Sequence, residues 1–433
     1  MHDSTMHIRH ALHDAGFEPL RHERVSVYVH VPFCRTRCHY CAFYLETGYP
    51  PRVLNETLEG MVAESAFWHE ALGAPAVDTL YIGGGTPSAI PAERLESFLE
   101  ALSGTFRTVD GLREATIEVN PESVNPALVS VLNASIIDRI SMGVQSLHDN
   151  ELAVLGRRSN RATALRALEY LRHHFKGRLS VDVIVGTPGQ TVKSLKQDLH
   201  ELLESGIEHV SLYGLTVEED TVLHQQIVDG RLSMPTQDAH EDLWDAASTT
   251  IQGAGLESYE VSNYAFPGQE SVHNAAYWNL NPYLGIGPGA VGMVYARTGD
   301  GERGCVPLRL TGEDVFRYQQ WKHGQYRPAI EVLSLTDHLF EHFMNGLRTR
   351  SGVNLSLLHR RFGVPAQHLL DILQDRWCEF SKLQCYDDRQ GNRYISLPLE
   401  SRMILDRLLP DLWNLLEVAL PELTLNCIEP GGY

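Results

Sequence analysis

Seven cysteines in 433 residues are too few for a disulfide scaffold. No run of about 18 apolar residues is present that could span a bilayer. Nor does the chain start with the charged, apolar and small-residue series of a secretion signal, so a reducing, cytoplasmic setting is expected. Basic residues are also scarce. There are 36 Lys and Arg against 55 Asp and Glu, a formal charge of −19, and no basic block offsets it. That balance disfavours nucleic acid or an anionic membrane as the main partner. The rest is ordinary for a globular chain: 43% hydrophobic and 21% charged residues, with enough length for two or three domains and a full core.

Three of the few cysteines fall within eight residues, in Phe33-Cys34-Arg35-Thr36-Arg37-Cys38-His39-Tyr40-Cys41-Ala42-Phe43. The spacing is C-x3-C-x2-C, directly after the apolar run Val25–Val31. Cysteine thiolates hold iron–sulfur clusters, and three ligands on a four-iron cluster leave one iron open to a small chelating molecule. His39 keeps a Cys3His zinc site open as an alternative. Cys305, Cys378, Cys385 and Cys427 lack ligand spacing and read as incidental or packing residues.

Short apolar runs then alternate with helix-length amphipathic segments. The runs are Val25–Val31, Val77–Ile82, Ala115–Val119, Arg139–Met142, Leu179–Val185 and Glu208–Tyr213. Helical patterns over Leu54–Ala71, Ala92–Leu102, Ala127–Ala134, Arg161–Phe175 and Val192–Ser205 fill the gaps. Six successive β–α units predict an α/β fold, a parallel sheet with helices outside, open or curled into a partial barrel. Its chemistry belongs at the carboxyl ends of the strands.

Polar and glycine-rich segments do follow the runs. Gly83-Gly84-Gly85-Thr86-Pro87-Ser88 could bring backbone amides close to a ligand, or form a plain turn. Glu118 ends the third run, as a ligand acceptor or an ordinary strand-end acid. Gln145 follows the fourth, with Arg157 twelve residues beyond. Asp182 sits among apolar neighbours, where a buried acid needs a partner, either a ligand or a local cap.

Together these features resemble the radical S-adenosylmethionine (SAM) superfamily. More narrowly the chain resembles the oxygen-independent coproporphyrinogen III oxidase (HemN) family, and within it the HemW branch of haem chaperones. The resemblance is carried by Tyr28-Val29-His30-Val31-Pro32-Phe33-Cys34, Tyr81-Ile82-Gly83-Gly84-Gly85-Thr86-Pro87-Ser88, Arg139 to Ser146 and Asp182 to Thr191. Tyr259 to Ala265 and His273-Asn274-Ala275-Ala276-Tyr277-Trp278 extend it over roughly residues 24–365. It implies that Cys34, Cys38 and Cys41 hold a [4Fe–4S] cluster whose fourth iron takes SAM. It implies SAM contacts from Tyr28, Gly84, Gly85, Thr86, Glu118, Gln145, Arg157 and Asp182. It further implies reductive SAM cleavage fed by a flavodoxin- or ferredoxin-type electron donor. The cofactor supplies the chemistry, and the protein supplies position and exclusion of water.

Within the family, porphyrinogen oxidases carry another cysteine where this chain has Phe43, which favours the HemW side. The HNxxYW run does likewise and suggests haem binding at His273, since imidazole is a common axial ligand; a hydrogen-bonded histidine in a loop is the alternative. Ala42 and Val291 replace an acid and a histidine that HemW proteins tend to carry. The primary expectation is therefore a haem-binding protein that passes haem to an acceptor. The rival is a radical SAM methyltransferase or cyclopropanase that uses two SAM molecules on a small molecule, and a porphyrinogen oxidase comes third.

Four regions are expected. Residues 1–23, with His2, His7, His10 and His13, read as a solvated N-terminal arm. Residues 24–262 form the partial (β/α)6 barrel. Residues 263–330, rich in Asn, Pro and Gly up to Ala290, read as an irregular cover over the barrel mouth and a linker. Residues 331–433 resemble the family's smaller winged-helix-like α+β domain, whose DNA-binding reading the acidic charge disfavours.

Overall fold

The computed structural model describes residues 16–106, 111–298, 305–318, 328–371, 373, 383–402 and 404–419. His2, His7, His10, His13, Cys378 and Cys427 lie outside them. Strands are numbered here in chain order. After β1 (Phe17–Pro19) come β2 (Arg24–Val31), β3 (Ala76–Gly84), β4 (Glu114–Val119), β5 (Arg139–Gln145), β6 (Arg178–Val185) and β7 (His209–Gly214). These last six pair in sequence order and all in parallel. Their buried Val, Ile and Leu side chains form the larger core, as parallel strands covered on both faces require.

The crossovers are the expected helices, Pro51–Ala71, Ala92–Phe106, Pro126–Ala134, Arg161–His174 and Val192–Glu204. Local chemistry sets their starts. Asn125 and Asn160 accept from the backbone amides of Leu128 and Thr163, and Thr191 with Ser194 closes a reciprocal capping box. Such caps satisfy amides that have no partner within the helix.

The sheet is curled. On a flat sheet β2 and β7 would stand about 24 Å apart, at roughly 4.8 Å per strand. Yet residues following both strands line one cavity. Curling brings the carboxyl ends of six strands around a common space, in a partial barrel.

Residues 263–290 differ from the irregular cover expected of them. Asn263–Ala265 is β9, antiparallel to β7, with β8 (Glu257–Ser258) beyond it. Tyr283–Ile286 is β10, parallel to β2 on the opposite edge. The sheet continues through β11 (Val291–Thr298), β12 (Cys305–Thr311) and β13 (Ala329–Val332), and β1, from the supposed arm, pairs with β11. The glycines that suggested irregularity permit close strand approach instead. A Cβ on Gly285 would stand 2.3 Å from the Val291 carbonyl oxygen.

The C-terminal unit has its own core. Leu335–Gly346, Leu355–Phe362 and Leu405–Ala419 are helical, and β14 (Val353–Asn354), β15 (Gln384–Asp387) and β16 (Arg393–Ser396) form a three-stranded antiparallel sheet. The β15–β16 hairpin turns on Asp388, which accepts from the amides of Gln390 and Asn392. Strand β11 joins the two units by simple alternation: Val294 and Ala296 face the larger core, Met293 and Tyr295 the smaller. Cys385 is exposed on β15, so it is not a packing residue.

Candidate functional site

One cavity of roughly 450 Å³ opens at the carboxyl ends of the strands, a size suited to a cofactor-like molecule. Cys34, Cys38 and Cys41 line it, together with Gly84, Gly85, Thr86, Glu118, Gln145, Arg157 and Asp182. Residues carried by or following five successive strands thus meet in one place, and Tyr213 of β7 adds a sixth.

The cysteine loop is held from several sides. Its entry pairs with the glycine segment, where Gly85 N–H donates to Val31 O and Thr86 N–H to Phe33 O, each at 2.8 Å. Its far side pairs with Glu46, through Cys34 N–H to Glu46 O (3.0 Å). Arg37 crosses inside the loop and donates to the carbonyls of Cys41, Phe43 and Leu45. His39 donates its backbone N–H to Leu155 O (2.9 Å), and its Nδ1 lies 3.0 Å from Val154 O. That nitrogen is therefore engaged with backbone.

The three thiols share the cavity wall without converging on a point. Among the described residues no three His, Cys, Asp or Glu side chains are grouped closely enough for a single metal ion. Burial pushes the Cys34 thiol up to about 11, against a lowering hydrogen bond from Thr86, and burial also raises Cys41. Thiols held this way become thiolates on gaining a cation, so metal binding and deprotonation go together.

Arg157 supplies the positive side of the floor. Its Nη1 lies 3.6 Å from Cys38 Sγ, and its Nη2 donates to Asn120 Oδ1 (2.8 Å) and Gly143 O (2.7 Å). Opposite it stand two acids. Glu118 accepts from the Tyr81 hydroxyl and from Gly84 N–H, both at 3.0 Å. Burial, and secondarily the charge of Asp182, raise it to about 7. Asp182 accepts from Ser141 (3.0 Å) and is raised by burial to about 6. Gln145 sits at φ +69°, with Ser146 N–H bonded to Val144 O at 2.9 Å. This is a γ-turn, where β5 slips register against β6, and such strain collects where a side chain must be aimed.

Two expected residues lie apart from the cavity lining. Tyr28 is one layer behind, 2.9 Å from His30 Nδ1, and its phenol is raised by burial and then by Glu118. His273 is 1% exposed, with Nδ1 2.8 Å from Thr79 Oγ1 and Nε2 3.0 Å from the Tyr277 hydroxyl. Both ring nitrogens are used within the fold. Sequence reasoning passed over Tyr40, Tyr81, Asn120, Glu122, Ser141 and Tyr213, which also line the cavity. For Asn120, Glu122 and Tyr213 a place at or just past a strand end was the available signal, and for Tyr40 its place between two cysteines; Tyr81 and Ser141 lie inside β3 and β5.

The radical SAM superfamily matches residues 28–202 and the HemN C-terminal domain family residues 333–375. The chain is 35% identical over 333 residues to mouse mitochondrial radical S-adenosyl methionine domain-containing protein 1, covering 76% of this chain and 74% of that protein. It is 33% identical over 339 residues to heme chaperone HemW of Lactococcus lactis, covering 78% and 85%. The structure of coproporphyrinogen III oxidase (HemN) from Escherichia coli superposes with a TM-score of 0.70 at 18% identity, over 92% of this chain and 91% of that one. This last likeness is one of fold.

The family implies a [4Fe–4S] cluster and SAM, and the donor set suits both. Three thiols without a fourth protein ligand match a cluster that keeps one iron open. The glycine segment lets Glu118 and His30 pack directly on its backbone at the cavity wall, since a Cβ on Gly83 would fall 2.7 Å from the Glu118 carboxylate and one on Gly84 2.5 Å from His30. Glu122 Oε2 and Arg157 Nε are buried polar atoms with no hydrogen bond among the described residues, as expected beside a zwitterionic ligand. When bound, cluster and SAM supply one-electron cleavage of the sulfonium. The residues of this chain that line the cavity would then orient the pair, balance its charges and exclude water. From the matched sequence families, the relatives covered over most of their length and the HemN fold, the chain belongs to the radical SAM superfamily, in the HemN/HemW group.

Proposed function

We propose that this protein binds haem at the open mouth of the cavity and delivers it to an acceptor, with the cluster and SAM beneath assisting or gating the transfer. The observation that carries this reading is the character of the rim. Phe43 is 68% exposed and Tyr213 45% exposed, and both border the cavity together with the exposed arginines Arg35 and Arg158. Exposed aromatic faces and arginines around one opening suit a flat apolar ring bearing carboxylates. Glu218 shares the rim and would repel such carboxylates, so they would turn toward the arginines. The heme chaperone name of relatives at 30–35% identity supports the same reading. SAM contacts would come from Glu118, Gln145, Arg157, Asp182 and the glycine segment, with a flavodoxin- or ferredoxin-type reductant in a reducing, cytoplasmic compartment.

The test is anaerobic reconstitution followed by haem titration in absorbance, with and without SAM. Stoichiometric binding, weakened when Phe43→Ala is combined with Arg35→Ala and Arg158→Ala, is expected. Absence of haem binding, with rapid release of S-adenosylhomocysteine, would replace this reading with a two-SAM methyltransferase.

A further inference from the structure

We propose that His273 is a positioning residue for the SAM site, acting through Tyr81 on the carboxylate of Glu118. The inference rests on reading Glu118 as a SAM contact and is independent of haem.

The chain of contacts is short. The His273 ring stacks on the Tyr81 ring, with centroids 5.1 Å apart and planes at 25°. Tyr81 borders the cavity, and its hydroxyl donates to Glu118 Oε1 at 3.0 Å. The other carboxylate oxygen takes the Gly84 amide at 3.0 Å. Tyr28 bounds Tyr81 as well, at 6.1 Å and a 36° tilt. Tyr81 therefore has its ring fixed by neighbours and its hydroxyl aimed into the cavity.

His273 is suited to be the fixed member of this stack. Thr79 gives its hydroxyl proton to Ser26 Oγ at 2.9 Å, so it accepts from His273, and Nδ1 carries the imidazole proton. Nε2 then accepts from Tyr277, whose ring meets the imidazole edge-on at 4.8 Å. One tautomer and one ring orientation satisfy all these contacts. The backbone is equally constrained. Glu114 accepts from Ser271 Oγ (2.8 Å) and from the amides of Val272 and His273 (both 3.1 Å). Glu114 is in turn paired with buried Arg139 at 3.1 Å. The helix Val272–Trp278 thus presents an imidazole plane at the back of the cavity wall. The HNxxYW run then works as a brace, with histidine, tyrosine and the helix start each holding the next.

The test measures SAM affinity of the full-length, cluster-loaded protein by equilibrium dialysis, with melting temperature recorded for each variant. Glu118→Gln serves as the reference and should bind SAM at least tenfold more weakly. His273→Ala and Tyr81→Phe should each weaken SAM about tenfold. The double variant should be no weaker than the weaker single, because both act on one hydrogen bond. His273→Phe keeps the stacked ring but abandons Thr79 and Tyr277, so it should lose melting temperature while retaining most SAM affinity. That split separates positioning from mere stability, and it remains measurable if His273→Ala does not fold. Losses that multiply in the double variant would overturn the proposal. So would SAM affinity unchanged in His273→Phe and His273→Ala alike, or loss of haem binding alone. Unaltered SAM binding by Glu118→Gln would instead refute the underlying site reading, and the inference with it.

Discussion

Replacing Glu118 with Gln should flatten the dependence of stability on pH. Burial and Asp182 raise this carboxyl from an ordinary 4.5 to about 7, so between those values the folded protein holds a proton that the unfolded chain has released. Stability from this group is therefore present below about pH 4.5, declines as pH rises and levels off above about 7. The displacement corresponds to roughly 3 kcal/mol at about 1.4 kcal/mol per tenfold change in proton affinity. The cavity admits water and raises the local dielectric, which reduces the effect to about 1–2 kcal/mol. In a chain of this size, with roughly 2.1 cal/mol/K of unfolding entropy per residue, that is a melting-temperature difference of about 1–2 °C. The assay is thermal unfolding of cluster-free parent and variant from pH 5 to 8. The parent should lose about that much relative to Glu118→Gln as pH rises, because the amide has no charge to bury. Taking the difference removes the histidines, which titrate alike in both proteins. The same logic predicts that SAM, which brings cationic ammonium and sulfonium groups, binds the parent more tightly at pH 8 than at pH 5.5. Parent and variant curves that superimpose across this range would refute the electrostatic account.

Two further outcomes follow from the geometry. Gly85→Ala would put a Cβ 2.8 Å from Phe33 N, Phe33 O and Val31 O; these are backbone atoms that cannot step aside, so iron content per chain after reconstitution should fall at least by half, and full loading would count against the packing argument. Where β11 meets the C-terminal unit, burial and then Arg361 lower His22, from the segment before β2, to about 4, while His338 and His342 are also lowered mainly by burial. His342 accepts from Arg361 at 2.9 Å, and His338 lies 3.0 Å from the Tyr295 hydroxyl. The unfolded chain would protonate these rings near pH 6.5, so their contribution to stability is full above that value and declines as pH falls below it. Hydrogen exchange at pH 5 should open the contact between β11 and this unit before the strands of the barrel; simultaneous opening would contradict it.

The amino-acid sequence by itself determined the six strand–helix units, the three-thiol loop and the glycine row beside it. Each is a local property, written in periodicity, spacing or backbone freedom. Glu118 and Gln145 were legible as strand-end residues and Asp182 as an acid among apolar neighbours, while Arg157 stood out only by the resemblance, which gave all four a common purpose. Only the tertiary structure decided that the ends of β2 and β7 share a cavity, because curling sums small twists over many strands. It also drew Asn263–Ala265 and Tyr283–Ile286 into the sheet. Tyr283 pairs with Ser26, a partner more than 250 positions away, and no local signal encodes such a pairing. For His273 the chemistry of imidazole left two roles open. Only the tertiary fold surrounded it with Thr79, Tyr81 and Tyr277 and engaged both ring nitrogens; Thr79 and Tyr81 lie far from it in the chain, and no local signal brings them together with it.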